Sequence, residues 1–179
     1  MQDRKDALIA ASDFVQQVKQ LPREISSSAV ATVGRLNVFP NGVNVIPGKI
    51  ELLVDVRDIK TKHLNELVNL VIDTGRNVAK KHEIKCSIIE STRSTGIKIK
   101  KDMQNKIEKS MNSLGIEPTF LSSGASHDSL IIGKYIPVGM IFIWSIDGHS
   151  HNPKQRSTLD DCIKGIHLLR TLVEKFNEN

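Results

Sequence analysis

Two histidines, His149 and His151, sit in the run Ser145–Pro153 (SIDGHSHNP), a Gly/Ser/Asn/Pro-rich loop that follows the apolar run Val138–Ile143. A loop at the mouth of a buried strand is where a rigid scaffold presents ligands and catalytic groups. Neutral imidazole binds zinc-type ions, but a closed site takes at least three protein ligands, more than this loop supplies. Taken alone, the loop is explained more simply by solvated or hydrogen-bonded histidines. A second loop, SSGASHD (Ser122–Asp128), joins small residues to His127 and Asp128. Its backbone N–H groups can receive a carboxylate, much as anions are received at helix starts. Capping of the following turn by Asp128, with His127 facing solvent, explains the same residues. A third stretch, Asn41–Asp58, sets Asn44 among the turn pairs Asn41–Gly42 and Pro47–Gly48 and ends a strand with Arg57. Arginine grips carboxylates bidentately, and an asparagine amide both donates and accepts. An ordinary sheet rim accounts for them equally well.

The elements that must hold these residues follow from periodicity. Residues 3–20 carry an apolar stripe through Ala7, Leu8, Ala11, Phe14, Val15 and Val18, which predicts a helix stopped by Pro22. Ala29–Phe39 and Lys49–Arg57 read as strands, Leu64–Lys81 as a helix, and Ile84–Thr92 as a strand, with a further strand possible near Lys98. That order suits an antiparallel sheet with helices on one face. TRSTG (Thr92–Gly96) marks the boundary. Beyond it come a helix (Asp102–Leu114), a short strand (Pro118–Leu121), a helical turn near Ser129–Gly133, the strand Val138–Trp144, and a closing helix, Leu159–Phe176, capped by Ser157 or Thr158. Strand–loop–helix alternation is α/β grammar, but two strands are too few for a self-sufficient sheet. The second half reads as part of a domain.

Composition narrows the function classes. The 179 residues are 39% apolar and 25% charged, ordinary for a globular protein, and no apolar run reaches a membrane span of about 18 residues. The net charge of +5 is spread: 14 Lys/Arg against 11 Asp/Glu in residues 1–95, and 11 against 9 in residues 96–179. With 4% aromatics there is little to stack on bases, so a solvated basic surface is the reading and nucleic-acid binding is not expected. Cys86 and Cys162 lack a Cys-x-x-Cys spacing and read as core thiols. The charged opening MQDRKDALIAAS has no signal-peptide core. A cytoplasmic protein is expected.

Jointly the segments are specific. NVIPG, DVRD, SGASHD and GHSHNP, in that order, resemble the zinc-type amidohydrolases of the aminoacylase/carboxypeptidase superfamily. The branch they are most similar to holds N-carbamoyl-L-amino-acid hydrolase, allantoate amidohydrolase and β-ureidopropionase. The resemblance spans essentially the whole chain, including the opening MQDRKDAL. It implies an α/β protein in two parts. Residues 1–95 would be a lid and dimerisation domain, an α+β two-layer sandwich of ferredoxin-like type. Residues 96–179 would be the C-terminal part of a metal-binding catalytic domain.

The same resemblance assigns roles. His151 matches the last metal ligand, with His149 a neighbour where an apolar residue is common. Asn44 and Arg57 match lid residues that hold the substrate's amide and carboxylate. Gly124 and Ala125 lie where backbone meets substrate, beside His127 and Asp128, while Ser126 stands where glycine is usual. The remaining metal ligands and the general-base glutamate are expected before Met1. The complete enzyme would then use zinc, manganese or cobalt on a ureido or amide substrate and pair as a homodimer through the lid. This chain alone would hold no metal stably and carry no catalytic residue of its own. The alternative is a non-catalytic dimerisation or binding module derived from such an enzyme.

Overall fold

The structure, a computed structural model, describes residues 4–177. The first three residues of the MQDRKDAL match therefore lie outside the described residues. The chain is a mixed α/β protein that divides into two compact units, Met1–Gly96 and Ile97–Asn179.

The first unit opens with α1 (Ala7–Val18), which buries Ala10, Ala11, Phe14 and Val18. Asp6 starts it by accepting the N–H groups of Leu8 at 3.0 Å and Ile9 at 3.3 Å. These donors have no partner inside the helix, and such a cap contributes about 1 kcal/mol. The first helix ends at Val18, before Pro22 as expected, and Pro22 itself lies in the first turn of a second short helix, α2 (Leu21–Ile25). Its missing N–H is not needed there, so it opens a helix instead of breaking one.

The strands β1 (Val30–Phe39) and β2 (Lys49–Arg57) form an antiparallel hairpin, with Val30 opposite Arg57, Phe39 opposite Lys49, and an irregularity between Val33 and Arg35. Period-two alternation turns Leu52, Val54 and Val56 inward and leaves Leu53, Asp55 and Arg57 outward. Helix α3 (Thr61–Lys81) buries Leu64, Leu67, Val71, Val78 and Ala79. The core joins Phe14, Val18 and Leu21 to Leu67, Val71 and Val78, and packs them against Leu52, Val54 and Val56 of the hairpin. Leu67 and Val18 are fully enclosed, and burial of each such side chain contributes about 1.5–3 kcal/mol.

Polar ties close the unit. Asp13 on α1 accepts from Lys81 at 2.8 Å and from Gln17 at 2.8 Å, with His82 Nε2 at 2.9 Å. Lys81 foremost, then His82 and Gln17, hold its carboxyl well below the usual carboxylate range.

In the second unit, α4 (Lys101–Ser113) and α6 (Leu159–Glu174) pack together, burying Met103 and Ser110 on one helix and Leu168 and Leu172 on the other. Thr158 caps α6 by accepting Asp161 N–H at 3.1 Å. Lys106 Nζ donates to the Phe176 carbonyl at 2.7 Å and sits 4.5 Å from that ring's centroid. Between the helices lies a single-turn helix, α5 (Ser129–Ile132).

Two glycines let this unit close. A Cβ on Gly139 would lie 2.8 Å from Ile107 Cδ1 and 2.9 Å from Met103 Cγ, and one on Gly165 would lie 2.6 Å from Ile143 Cγ2. The run 138–144 is thus packed against α4 at one point and against α6 at another.

Ile84–Thr92, the residues near Lys98, Pro118–Leu121 and Val138–Trp144 were expected as strands, but none joins a ladder among the described residues. Apolar alternation fixes which way side chains face. A strand additionally needs neighbouring backbone to take its N–H and C=O groups, and the one ladder here is the β1–β2 pair. Among the described residues no helix is long and apolar enough to cross a membrane.

Candidate functional site

The sequence-predicted site residues fall in three places. In the first unit, Asn44 is exposed in the turn joining β1 to β2, and Arg57 is the last residue of β2. From Lys49 to Arg57 the strand runs about 27 Å at the usual rise per residue, so the two residues stand at opposite ends of the hairpin. Asn41, in a left-handed conformation with φ of 62°, and the Gly48 N–H bonded to the Phe39 carbonyl at 3.1 Å shape the turn. Arg57 Nε donates to Asp55 Oδ2 at 2.7 Å, two residues back on the same outward face.

Immediately after Arg57, the side chain of Asp58 is fully enclosed. It accepts from Ser26 at 2.5 Å, from Ser28 at 3.2 Å and from the Lys60 N–H at 2.7 Å. Burial pushes its carboxyl up, but the Ser26, Lys60 and Ser28 bonds outweigh that and leave it below the ordinary value. His63 Nδ1 lies 3.6 Å from the same carboxylate. This cluster pins the backbone at the Arg57 end of the hairpin. Sequence reasoning passed over it because Asp58 lies 32 and 30 residues along the chain from Ser26 and Ser28.

In the second unit, Gly124, Ala125, His127 and Asp128 form the loop leading into α5. Ser123 Oγ donates to the Ala125 carbonyl at 3.0 Å, so that carbonyl is engaged within the loop. The Ser129 N–H donates to His127 Nδ1 at 3.3 Å, and Ser129 Oγ lies 3.1 Å from the same nitrogen. An accepting Nδ1 places the neutral ring's proton on Nε2. Asp128 occupies the cap position of α5, but its side chain makes no capping bond; its carbonyl accepts Ile131 and Ile132 N–H instead. Capping therefore does not explain this carboxylate.

The third place is the histidine loop. A 3-10 turn, Ile146–Gly148, follows the run 138–144, and the loop is closed by Ile146 N–H to the Arg156 carbonyl at 2.8 Å. Ser145 Oγ donates to the His149 carbonyl at 2.6 Å. Asp147 and His151 both hold positive φ, 56° and 54°, a left-handed conformation costing a non-glycine residue about 1–2 kcal/mol. The fold retains His151 in it through the Gln155 side chain, which accepts its N–H at 2.7 Å, while Ser150 Oγ sits 2.9 Å from its Nδ1. A ring fixed through Nδ1 suits presentation of Nε2 to a metal. Sequence reasoning found the histidine but missed Gln155 and Ser145, whose one signal is a polar side chain within the loop's own span.

Among the described residues no three His, Cys, Asp or Glu side chains gather to hold an ion. His151 fits one position of a zinc-type site, and a closed site takes ligands beyond it.

The match to known proteins extends over nearly the whole chain. The family model "Peptidase family M20/M25/M40" matches residues 7–175. The N-carbamoyl-L-amino acid amidohydrolase of Geobacillus stearothermophilus is 31% identical over 166 residues, which are 93% of this chain and 40% of that protein. The allantoate amidohydrolase of Escherichia coli is 26% identical over 170 residues, 95% of this chain and 41% of that protein. A crystal structure of AtUAH in complex with (S)-hydroxyglycine superposes with a TM-score of 0.93 at 30% identity, covering all of this chain and 43% of that one. The chain spans about two-fifths of the length of the curated relatives it matches. With its matched span running from the first helix to the end of the last, this chain belongs to the M20/M25/M40 peptidase family.

Proposed function

We propose that this chain is the substrate-gripping lid and part of the metal-bearing layer of an amidohydrolase. The enzyme would cleave the C–N bond of N-carbamoyl-L-amino acids or allantoate-like ureides. The observation that carries the reading is the histidine loop: in a family-matched chain, His151 is fixed in left-handed backbone by Gln155 and through Nδ1 at Ser150. In this reading residues 1–95 are the ferredoxin-like lid through which two copies pair, and residues 96–179 are the C-terminal part of the catalytic domain.

His151 would contribute one ligand to a zinc-, manganese- or cobalt-type ion. When bound, such an ion activates water for attack on a carbamoyl or amide carbon. Arg57 would clamp the substrate carboxylate bidentately. Asn44 would meet the amide, and because it lies at the far end of the hairpin from Arg57, the Asn44 of one copy would work beside the Arg57 of another. Backbone N–H groups at Gly124 and Ala125 would orient the substrate, flanked by His127 and Asp128. In this reading the remaining ligands and the general base would be supplied by residues other than those described, and the chain alone would not turn over substrate.

Hydrolysis of N-carbamoyl-L-amino acids and of allantoate, with added Mn or Zn, tests this. The purified chain is expected to show no turnover. The chain joined to the unmatched three-fifths of the G. stearothermophilus enzyme is expected to turn over one of these substrates and to lose it in His151→Ala. Intact pairing without metal uptake or turnover in the joined form would favour the non-catalytic module.

A further inference from the structure

A two-stranded hairpin has one end closed by its turn and one end open. In β1–β2 the open end is the pair Val30 and Arg57, so Arg57, the proposed carboxylate clamp, stands where a ladder frays first. What holds that end is a buried carboxylate. Asp58, its side chain fully enclosed, accepts from Ser26 Oγ at 2.5 Å, Ser28 Oγ at 3.2 Å and the Lys60 N–H at 2.7 Å. Ser26 Oγ in turn accepts the Ala29 N–H at 3.1 Å, which orders the approach to Val30. His63 Nδ1 lies 3.6 Å from Asp58, is buried and makes no hydrogen bond, so the two serines and Lys60 carry the anchoring.

Starting α3 needs only the Lys60 bond. The serines reach Asp58 from the segment before β1, so one carboxylate ties both strands of the open end to α3 and, through Leu64 and Leu67, to the buried interior. On the outward face the Arg57 side chain is itself steadied by Asp55, which accepts from Nε at 2.7 Å. A bidentate grip on a carboxylate demands a fork fixed in place, and a misplacement of about 1 Å weakens such a contact severely. We propose that Ser26, Ser28 and Asp58 are positioning residues for Arg57: they fix the open end of the hairpin and so set the enzyme's preference for substrates that carry a carboxylate. The proposal deepens the amidohydrolase reading and rests on Arg57 being its carboxylate clamp.

The chain joined to the unmatched three-fifths of the G. stearothermophilus enzyme would be assayed on an N-carbamoyl-L-amino acid and on its methyl ester, which lacks the carboxylate. Ser26→Ala should raise KM for the acid about tenfold with kcat within about twofold, and leave the ester unchanged, so that selectivity for the acid narrows. Ser26→Thr keeps the hydroxyl and should restore it. Ser28→Ala removes the longer bond and should move the same ratio in the same direction by less. In the chain alone, the Arg57 Nε–H resonance in nitrogen-15 NMR should shift and broaden in Ser26→Ala but not in Ser26→Thr. Arg35, opposite Leu53 within the ladder, is the internal control.

A selectivity unmoved by Ser26→Ala and Ser28→Ala would overturn the proposal. So would equal losses on acid and ester, or a loss that Ser26→Thr does not restore, because each describes a fold weakened as a whole. If the joined parent cleaves neither substrate, the proposed function falls and the Arg57 resonance decides the positioning by itself. A change confined to Arg57 supports it, whereas no change, or an equal change at Arg35, overturns it.

Discussion

The two units spend their apolar residues differently. In the first, Phe14, Val18, Leu67, Val71 and Val78 converge under a two-stranded hairpin, and helix-to-helix polar ties close over them. In the second, α4 and α6 bury four side chains between them, while Leu159, Ile166, Val173 and Trp144 face outward. Both sequences are patterned for burial. The difference is that the first unit packs its helices under a β ladder, while among the described residues of the second no ladder forms. Fold stability should therefore be local to the first unit, while the chemistry-bearing loops sit mainly on the second.

Substitutions in the two cores test this contrast. The largest effect is expected for Leu67→Ala, which empties a fully enclosed site and should lose about 2–5 kcal/mol in urea unfolding. Acid comes next. The carboxyls of Asp13, Asp6 and Asp58 are all held below their ordinary value in the folded unit. A depressed folded pKa contributes stability that is present above the unfolded value, about 3.9, and is lost as pH falls below it. Thermal unfolding of the first unit should therefore drop between about pH 4 and pH 2, and Asp13→Asn should flatten that drop. Smaller and alike in both units are the caps: Asp6→Ala and Thr158→Ala should each lose about 1 kcal/mol. Least of all, Val173→Ala should stay within about 0.5 kcal/mol in the isolated chain. A large effect there would mean that α6 is already covered.

Legibility followed the same divide. The helix at Leu64–Lys81, the hairpin strands and the cap at Thr158 could be read from sequence because propensity, periodicity and local hydrogen bonds decide them within a few residues. Val138–Trp144 has the pattern of a strand, but strand identity depends on backbone from elsewhere in space, and pattern alone carries no information about that neighbour. At the candidate site, His151 in its polar loop and Arg57 at the end of a strand were legible as residue types. The Gln155 clamp on His151, the Ser26–Asp58 cluster behind Arg57, and the span of the hairpin between Asn44 and Arg57 needed three-dimensional geometry.

The most direct test of the account is the metal stoichiometry of the purified chain after incubation with zinc or manganese and desalting, alone and joined to the unmatched portion of an M20 relative. Less than one retained ion per isolated chain is expected, with tight binding appearing in the joined form and falling in His151→Ala, because one imidazole is not a closed site. Two tightly held ions in the isolated chain, with turnover of an N-carbamoyl-L-amino acid, would contradict it.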